Sequence, residues 1–197
     1  MERRTTRERA ASRVTSAAPG DLEIVRGLIN TLDVEGSTDA ISSEDGLRRW
    51  LVDRSLLDPD DAVGQADVGW VIEVREALRE LIVANSDGVV DDRAVAVLND
   101  ASRRSPLEVR FDRDGNAGLV ARGAGVTAAV SRLLAVVEGA MADGTWARLK
   151  ACRNDACRWA FYDRSKNRSG TWCTMAVCGN VMKAREYRRR KAAGGSS

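Results

Sequence analysis

The four cysteines of the chain lie within residues 152–178 in the spacing C-x4-C-x15-C-x4-C, as Cys152, Cys157, Cys173 and Cys178. Two short pairs separated by a loop supply four thiolates, the coordination that structural zinc prefers. The alternatives are two disulfide bonds, four unrelated thiols, and a redox-active or iron–sulfur site. Disulfides are disfavoured because the arginine-rich start of the chain lacks the apolar segment of a secretion signal, which indicates the reducing cytoplasm. The spacing therefore predicts one structural Zn²⁺.

The segment around these cysteines, residues 146–191, is too short to be stabilised by a core alone, so metal binding is expected to supply folding free energy. Trp159, Phe161 and Trp172 are predicted to pack around the metal, whereas Tyr162 and Tyr187 could serve either packing or base stacking. The segment 152–157 is predicted to form a knuckle. Residues 159–162 and 171–173 are predicted as paired strands, followed by a helix that Thr174 caps and that presents Cys178. This is a treble-clef-like arrangement.

Charge is distributed unevenly along the chain, although the net charge is only +2. Residues 148–191 carry a net charge of +10, residues 1–13 carry +3, and residues 14–147 carry −11. A module with so few acids is typical of a protein that binds a polyanion, whereas a solvated surface normally mixes both signs. The candidate nucleic-acid contacts are therefore Arg164, Lys166 and Arg168 on the polar turn, and Lys183, Arg185, Arg188, Arg189 and Arg190 on the last helix.

The acidic part of the chain shows helical periodicity. Helices are predicted over residues 21–33, from a capped start at residues 42–45, over 67–85, over 91–104 with Val95, Leu98 and Ala101 inward, and over 125–142. Between the last two helices, residues 107–111 alternate apolar and polar side chains and are predicted to pair with residues 119–121. The resulting β-hairpin should pack on the helices. The fold class is therefore mainly α (α+β): a helical N-terminal domain with one β-hairpin, plus a small zinc finger that ends in a basic helix.

Catalysis is not expected. The chain has no histidine, and a zinc ion held by four cysteines has no open position for water. No phosphate-binding glycine loop follows a strand, and Asp33, Asp39, Asp60 and Asp61 are interpreted as solvated loop acids. No apolar run approaches the roughly 20 residues that span a bilayer. We therefore expect a cytoplasmic protein without catalytic residues or membrane contact.

The finger resembles a known family. Residues 173–180, Cys-Thr-Met-Ala-Val-Cys-Gly-Asn, preceded by Phe-Tyr-Asp-Arg-Ser at 161–165 and followed by the basic helix, resemble the CGNR zinc finger. Residues 30–33, Asn-Thr-Leu-Asp, are similar to the motif that opens the ABATE domain, which precedes that finger in the family. The one departure is Val181, which stands where the motif has arginine.

The resemblance implies a bacterial transcription regulator that binds double-stranded DNA in the nucleoid, with the ABATE domain sensing a small-molecule effector or forming a homodimer. The predicted division is a disordered basic arm at 1–20, an ABATE-like domain at 21–145, the finger at 146–191 and a flexible tail at 192–197. Such an arm could also touch a nucleic acid. Two alternatives are a finger that docks on the transcription machinery and an RNA-binding protein, the basic tail then giving only non-specific affinity.

Overall fold

The computed structural model describes residues 17–194, with side chains as far as residue 191. Residues 1–16 of the predicted arm and residues 195–197 of the predicted tail lie outside the described residues. Within that range the chain is mostly helical, and its strands form only short antiparallel pairs. The predicted fold class is confirmed.

The described residues form six α-helices and six strands. In chain order they are α1 (Leu22–Ile29), β1 (Leu32–Asp33), β2 (Thr38–Asp39), α2 (Glu44–Val52), α3 (Gln65–Asp87), α4 (Asp92–Arg104), β3 (Leu107–Phe111), β4 (Ala117–Ala121), α5 (Gly125–Ala142), a 3-10 turn (Trp146–Arg148), β5 (Leu149–Ala151), β6 (Ala160–Tyr162), a π-helical turn (Met175–Gly179) and α6 (Asn180–Gly194).

Helix α3 is the longest helix and lies at the centre of the fold, where it contacts α1, α2, α4 and β5. Its apolar residues recur every three or four positions, so Val71, Val74, Leu78 and Ile82 lie on one buried face. The helix ends at Gly88, whose φ of 78° is the left-handed conformation that glycine adopts readily. The predicted helix 67–85 is therefore present and extends a few residues further.

Three local predictions are wrong. Asp33 and Asp39 are not solvated loop acids, because Asp33 is buried in β1 and Asp39, in β2, pairs with the buried Arg75 at 2.7 Å. The helix predicted over 21–33 ends at Ile29, because Thr31 turns the chain through a bond from its Oγ1 to the Leu28 carbonyl and strand β1 begins at Leu32. In α4, Ala101 is buried as predicted, but Val95 is exposed and Ala94 takes the inward position.

The β3–β4 hairpin is paired from Leu107↔Ala121 to Phe111↔Ala117. Strand β4 contacts α5, as the need for packing predicts. The far end projects beyond the helix, so that 69% of Phe111 remains exposed.

The sequence analysis expected no segment that could span a bilayer, and helix α5 contradicts this expectation. By length and composition it alone among the described residues could cross a membrane. Its residues Val130, Leu133 and Val137 are instead buried in the common core, where the helix packs on α1. This is the environment of a core helix, whose inward face must be apolar.

The strands of the finger pair differently from the prediction. Strand β6 pairs with β5, with Leu149 opposite Tyr162 and Ala151 opposite Ala160, and not with residues 171–173. The reason is burial, because β5 and β6 are fully buried and β5 packs on α3. From the predicted return strand, the Thr171 carbonyl accepts a bond from the Arg153 amide.

The first part of the finger therefore shares the core of the helical body, residues 22–144. Trp146, Leu149, Ala160 and Tyr162 belong to the same buried cluster as α1, α3 and α5. Tyr162 is thus a core residue and not a stacking platform, whereas Tyr187 is exposed.

Candidate metal centre and nucleic-acid interface

The four cysteine sulfurs converge at one buried point, where all four Sγ atoms lie within 4.8 Å of one another. The Sγ atoms of Cys157 and Cys173 are 3.8 Å apart, and those of Cys173 and Cys178 are 3.6 Å apart. Zinc–sulfur bonds of about 2.3 Å in a tetrahedron place neighbouring sulfurs about 3.8 Å apart. A disulfide would need about 2.05 Å, and all four cysteines are free thiols. The residues therefore fit one zinc ion.

Three local features hold these sulfurs in place. Cys152 directly follows β5, and its amide donates to the Trp159 carbonyl at 2.9 Å. The knuckle closes through the bond from the Cys157 amide to the Asn154 carbonyl at 2.7 Å. On the other side, the Thr174 side chain accepts a bond from the Val177 amide and so caps the π-helical turn that presents Cys178. The predicted cap is confirmed.

Asn154 is a residue that the sequence analysis did not single out. It is buried, and its Nδ2 lies 3.6 Å from the Cys178 Sγ. A donor aimed at a ligating sulfur tunes the charge of a metal site, and loss of such an outer contact typically costs about 10–100-fold in metal affinity. The position of Asn154 between the closely spaced Cys152 and Cys157 is the feature of the sequence that could have indicated this contact with the metal site.

The thiols interact strongly with one another. Hydrogen bonding to Cys152 and its neighbours raises the pKa of Cys157 and of Cys173 well above the usual range. Hydrogen bonds to Cys157 and Cys173 lower the pKa of Cys152 to about 7, and bonds from the other three thiols lower that of Cys178. Four adjacent thiolates require a cation to balance their charge, which bound zinc provides.

An apolar shell surrounds the sulfurs. Trp159 and Phe161 are buried in the same cluster as the cysteines, and Trp172 packs against that cluster, so the predicted packing around the metal is confirmed. Gly179 follows Cys178 directly, and a Cβ on it would lie 3.3 Å from the Trp172 ring and 2.6 Å from the Met175 sulfur. The glycine of the motif therefore leaves room for this shell.

The basic turn is built on a buried ion pair that the sequence analysis missed. Lys150 Nζ lies 2.9 Å from Asp163 Oδ2, and both side chains are buried. Lys150 also donates to the carbonyls of Arg168 and Gly170, while Asp163 accepts from the amides of Ser165 and Gly170. Residues 164–170, the basic loop, are thus anchored at both ends.

Burial would raise the pKa of Asp163, but hydrogen bonds from Ser165 and Lys150 outweigh it and lower the pKa to about 2. Gly170 fits this arrangement because a Cβ there would lie 2.7 Å from the Asp163 carboxylate. The carboxylate is therefore ionised at neutral pH and bound tightly by the loop.

The candidate nucleic-acid contacts fall into two groups, all of them exposed. Arg164, Lys166 and Arg168 lie on the basic loop, and Lys183, Arg185, Arg188, Arg189 and Arg190 lie on α6. Within residues 17–191, no hydrogen bond or ion pair joins the two groups. Arg164 has an intramolecular partner, because its Nη2 donates to the Ala17 carbonyl at 2.9 Å.

Body and finger meet at a polar joint. Arg79 of α3 is buried, and it donates to the Arg158 carbonyl at 2.9 Å and to the Ile29 carbonyl at 2.6 Å. Asn30 and Ala160 exchange two hydrogen bonds, and Arg158 pairs with Glu80 at 2.6 Å. Because Arg158 directly follows Cys157, the body holds the residue next to a metal ligand.

Two family models match the chain. Residues 22–144 match ABATE, described as "Putative stress-induced transcription regulator", and residues 148–191 match the CGNR zinc finger. No curated protein matches the chain. The resemblance inferred from the two motifs is confirmed, and the matched finger contains all four cysteines.

Proposed function

Because the chain belongs to the ABATE family of transcription regulators and carries a CGNR zinc finger, we propose that it is a zinc-dependent regulator that binds double-stranded DNA. The finger supplies the DNA contacts in this proposal. The acidic helical body serves dimerisation or the sensing of a small-molecule effector. The protein acts in the bacterial cytoplasm on the nucleoid, and it has no catalytic role.

The observation that carries the proposal is the exposure of α6. Every side chain described from Lys183 to Lys191 is exposed, and six of these nine residues are basic against the single acid Glu186. At 100° per residue the six basic positions point all around the helix axis. Such a helix has no apolar face to pack on a protein, but it can reach phosphates on both walls of a major groove, which is about 12 Å wide.

Zinc has a positioning role in this proposal. Cys178 lies in the π-helical turn that leads directly into α6, and Cys157 lies beside the joint with the body. Bound zinc therefore connects the DNA-contacting helix to the rest of the protein. With all four ligands supplied by cysteines, the metal has no open position for substrate.

The proposed boundaries are an arm at 1–20, a body at 21–145, the finger at 146–191 and a tail at 192–197. The shared core argues for a body and finger that move together, which gives an effector bound to the body a physical route to the finger. A thermal-shift screen of metabolites tests the sensing role: a stabilising compound that also changes DNA affinity supports it. A compound that stabilises the protein without changing DNA affinity contradicts it.

The decisive experiment is selection of bound sequences from a random duplex library, with and without a zinc chelator. We expect an enriched motif that chelation abolishes. Binding without sequence preference, lost equally for all duplexes as salt rises, contradicts a sequence-specific regulator. Preferential enrichment from a parallel RNA library supports the RNA-binding alternative, and capture of transcription machinery without DNA binding supports the docking alternative.

A pair of substitutions separates contact residues from metal ligands. Replacing Arg185 and Arg188 with Ala should weaken DNA binding and make the log–log salt slope shallower by about 2, since each phosphate contact contributes about 0.9. Replacing the exposed Arg103 and Arg113 of the body with Ala removes the same charge and should leave binding unchanged. Zinc content measured in both variants should equal that of the wild type. Loss of zinc from the first variant contradicts the separation.

A further inference from the structure

Strand β3 is an open edge of the helical body. It forms a two-stranded sheet with β4, and the hairpin packs on α5 mainly through β4. The side chains along β3 are correspondingly exposed, with 61% of Val109 and 69% of Phe111 accessible to solvent. The edge of a sheet presents unpaired amides and carbonyls to any strand that can lie beside it. The outer side of β3 is therefore available to pair with another strand.

The hydrogen bonds of the hairpin show which backbone groups of β3 point outward. The Asp112 amide donates to the Asn116 carbonyl at 3.0 Å. Because such bonds recur at every second residue of an antiparallel ladder, the even-numbered residues of β3 bond to β4, and the odd-numbered residues present their amides and carbonyls outward. The odd-numbered residues are Leu107, Val109 and Phe111. The outward groups are thus spaced symmetrically about Val109.

The side chains of β3 are arranged about the same residue. Val109 and Phe111 lie on one face of the hairpin, where Val109 stands opposite Leu119 of β4. The other face carries Glu108 and Arg110, whose side chains pair at 2.5 Å. The acid precedes Val109 by one residue and the base follows it by one. Turning the strand end for end about Val109 therefore exchanges the positions of the two charges.

From this symmetry we propose that two copies of the chain dimerise through β3, which pairs with β3 of the second copy, antiparallel and centred on Val109. The two hairpins then form one four-stranded sheet. Glu108 of each copy lies opposite Arg110 of the other at a non-hydrogen-bonded position, where side chains approach most closely and opposite charges stabilise the pair. The twofold axis makes this contact twice, as an isologous interface requires. The inference rests on the dimerisation role of the body in the proposed function.

Two further observations favour a second copy over a strand of another protein. The hairpin, residues 107–122, contains three acids and three arginines and is therefore neutral, although residues 14–147 carry −11. Two copies can thus approach here without the repulsion that opposes contact elsewhere on the body. On the apolar face, Phe111 of each copy lies opposite the half-buried Leu107 of the other, so the pairing covers part of the exposed ring.

The experiment exchanges charges between two full-length, zinc-loaded variants, Glu108→Arg and Arg110→Glu, in the absence of DNA. Each substitution alone places like charges opposite one another at both contacts of a homodimer, so the association constant measured by sedimentation equilibrium should fall about 10–100-fold. In an equimolar mixture the two variants are complementary to each other, and dimers should return to the wild-type level. The matched control is Arg93→Glu, the same change at an exposed position of α4, which should dimerise like the wild type.

Three outcomes overturn the inference: a wild type that stays monomeric throughout the concentration series, a dimer that neither substitution weakens, and variants that stay monomeric when mixed. The first would leave the edge to a strand of another protein. Recovery in the mixture excludes misfolding as the cause of the weakened association, because unfolded variants cannot restore a dimer. Since the measurement contains no DNA, a dimer that binds no duplex contradicts the proposed regulator and leaves the interface standing, whereas a monomer that binds duplex contradicts the interface alone.

Discussion

Replacing Arg79 with Met tests whether the body holds the zinc knuckle in place. The side chain is 1% exposed, and its three bonds reach Glu76 at 2.9 Å, the Arg158 carbonyl at 2.9 Å and the Ile29 carbonyl at 2.6 Å. Methionine fills much of the same volume but donates no hydrogen bond. Each buried acceptor left without a donor costs about 1–3 kcal/mol. We therefore expect the free energy of unfolding to fall by about 3–5 kcal/mol, as when one member of a buried ion pair is removed.

The matched control is Arg75→Met. Arg75 is also buried on α3, but its partners Thr31, Asp39 and Glu76 all belong to the body. Both variants should lose similar stability, whereas only Arg79→Met frees the residue that follows Cys157. Loss of a direct hydrogen-bond partner of a metal ligand typically costs about 10–100-fold in metal affinity, and because Arg79 holds the residue next to Cys157 the loss should lie at the lower end of that range. We expect that loss for Arg79→Met and little change for Arg75→Met.

Two measurements on folded protein give the answer. Urea unfolding monitored by circular dichroism gives the loss of stability, and competition with a chromophoric chelator gives the zinc affinity. If both variants release zinc at the same chelator concentration as the wild type, the metal alone holds the knuckle and the reasoning is refuted. Equal weakening in both variants would assign the effect to overall stability instead of the Arg79 contact.

Three further predictions concern zinc, Asp163 and Val181. Removal of zinc with a chelator should disorder the chain after Cys173 but leave β5 and β6 packed on α3. Most of the helical circular dichroism signal should therefore persist. Complete loss of that signal in one transition would contradict the shared core. Asp163→Asn should lower the free energy of unfolding at neutral pH by about 3–5 kcal/mol, because it leaves the buried Lys150 without its counter-charge. The pKa of Asp163 is lowered from 3.8 to about 2, so the stabilising effect of its carboxylate is complete above pH 4 and is lost as the pH falls towards 2. The difference in unfolding free energy between wild type and Asp163→Asn should therefore shrink by about 2–3 kcal/mol over that window. A difference that stays constant with pH would contradict the assignment. Val181 is 41% exposed at the start of α6, so an arginine there could reach a phosphate. Val181→Arg should therefore steepen the log–log salt slope of DNA binding by about 0.9. An unchanged slope would show that this position faces away from DNA.

Much of the metal centre could be predicted from the sequence because the relevant information is local. Four cysteines in two short pairs specify a ligand set, and Thr174 three residues before Val177 specifies a cap. The helices over 67–85, 91–104 and 125–142 follow from apolar periodicity for the same reason. The charge difference between body and finger is likewise a property of composition, so it required no structure.

Tertiary structure alone decided how the finger joins the body. Nothing in the local pattern distinguishes residues 149–151 from residues 171–173 as the partner of β6, because strand pairing depends on burial against distant elements. The burial of Tyr162 in the body core depends on the same long-range packing. The buried Arg79 and the Lys150–Asp163 pair read as ordinary surface charges in the sequence. Whether a charge is buried depends on the partners that the fold brings to it, and these partners lie up to 79 residues away along the chain.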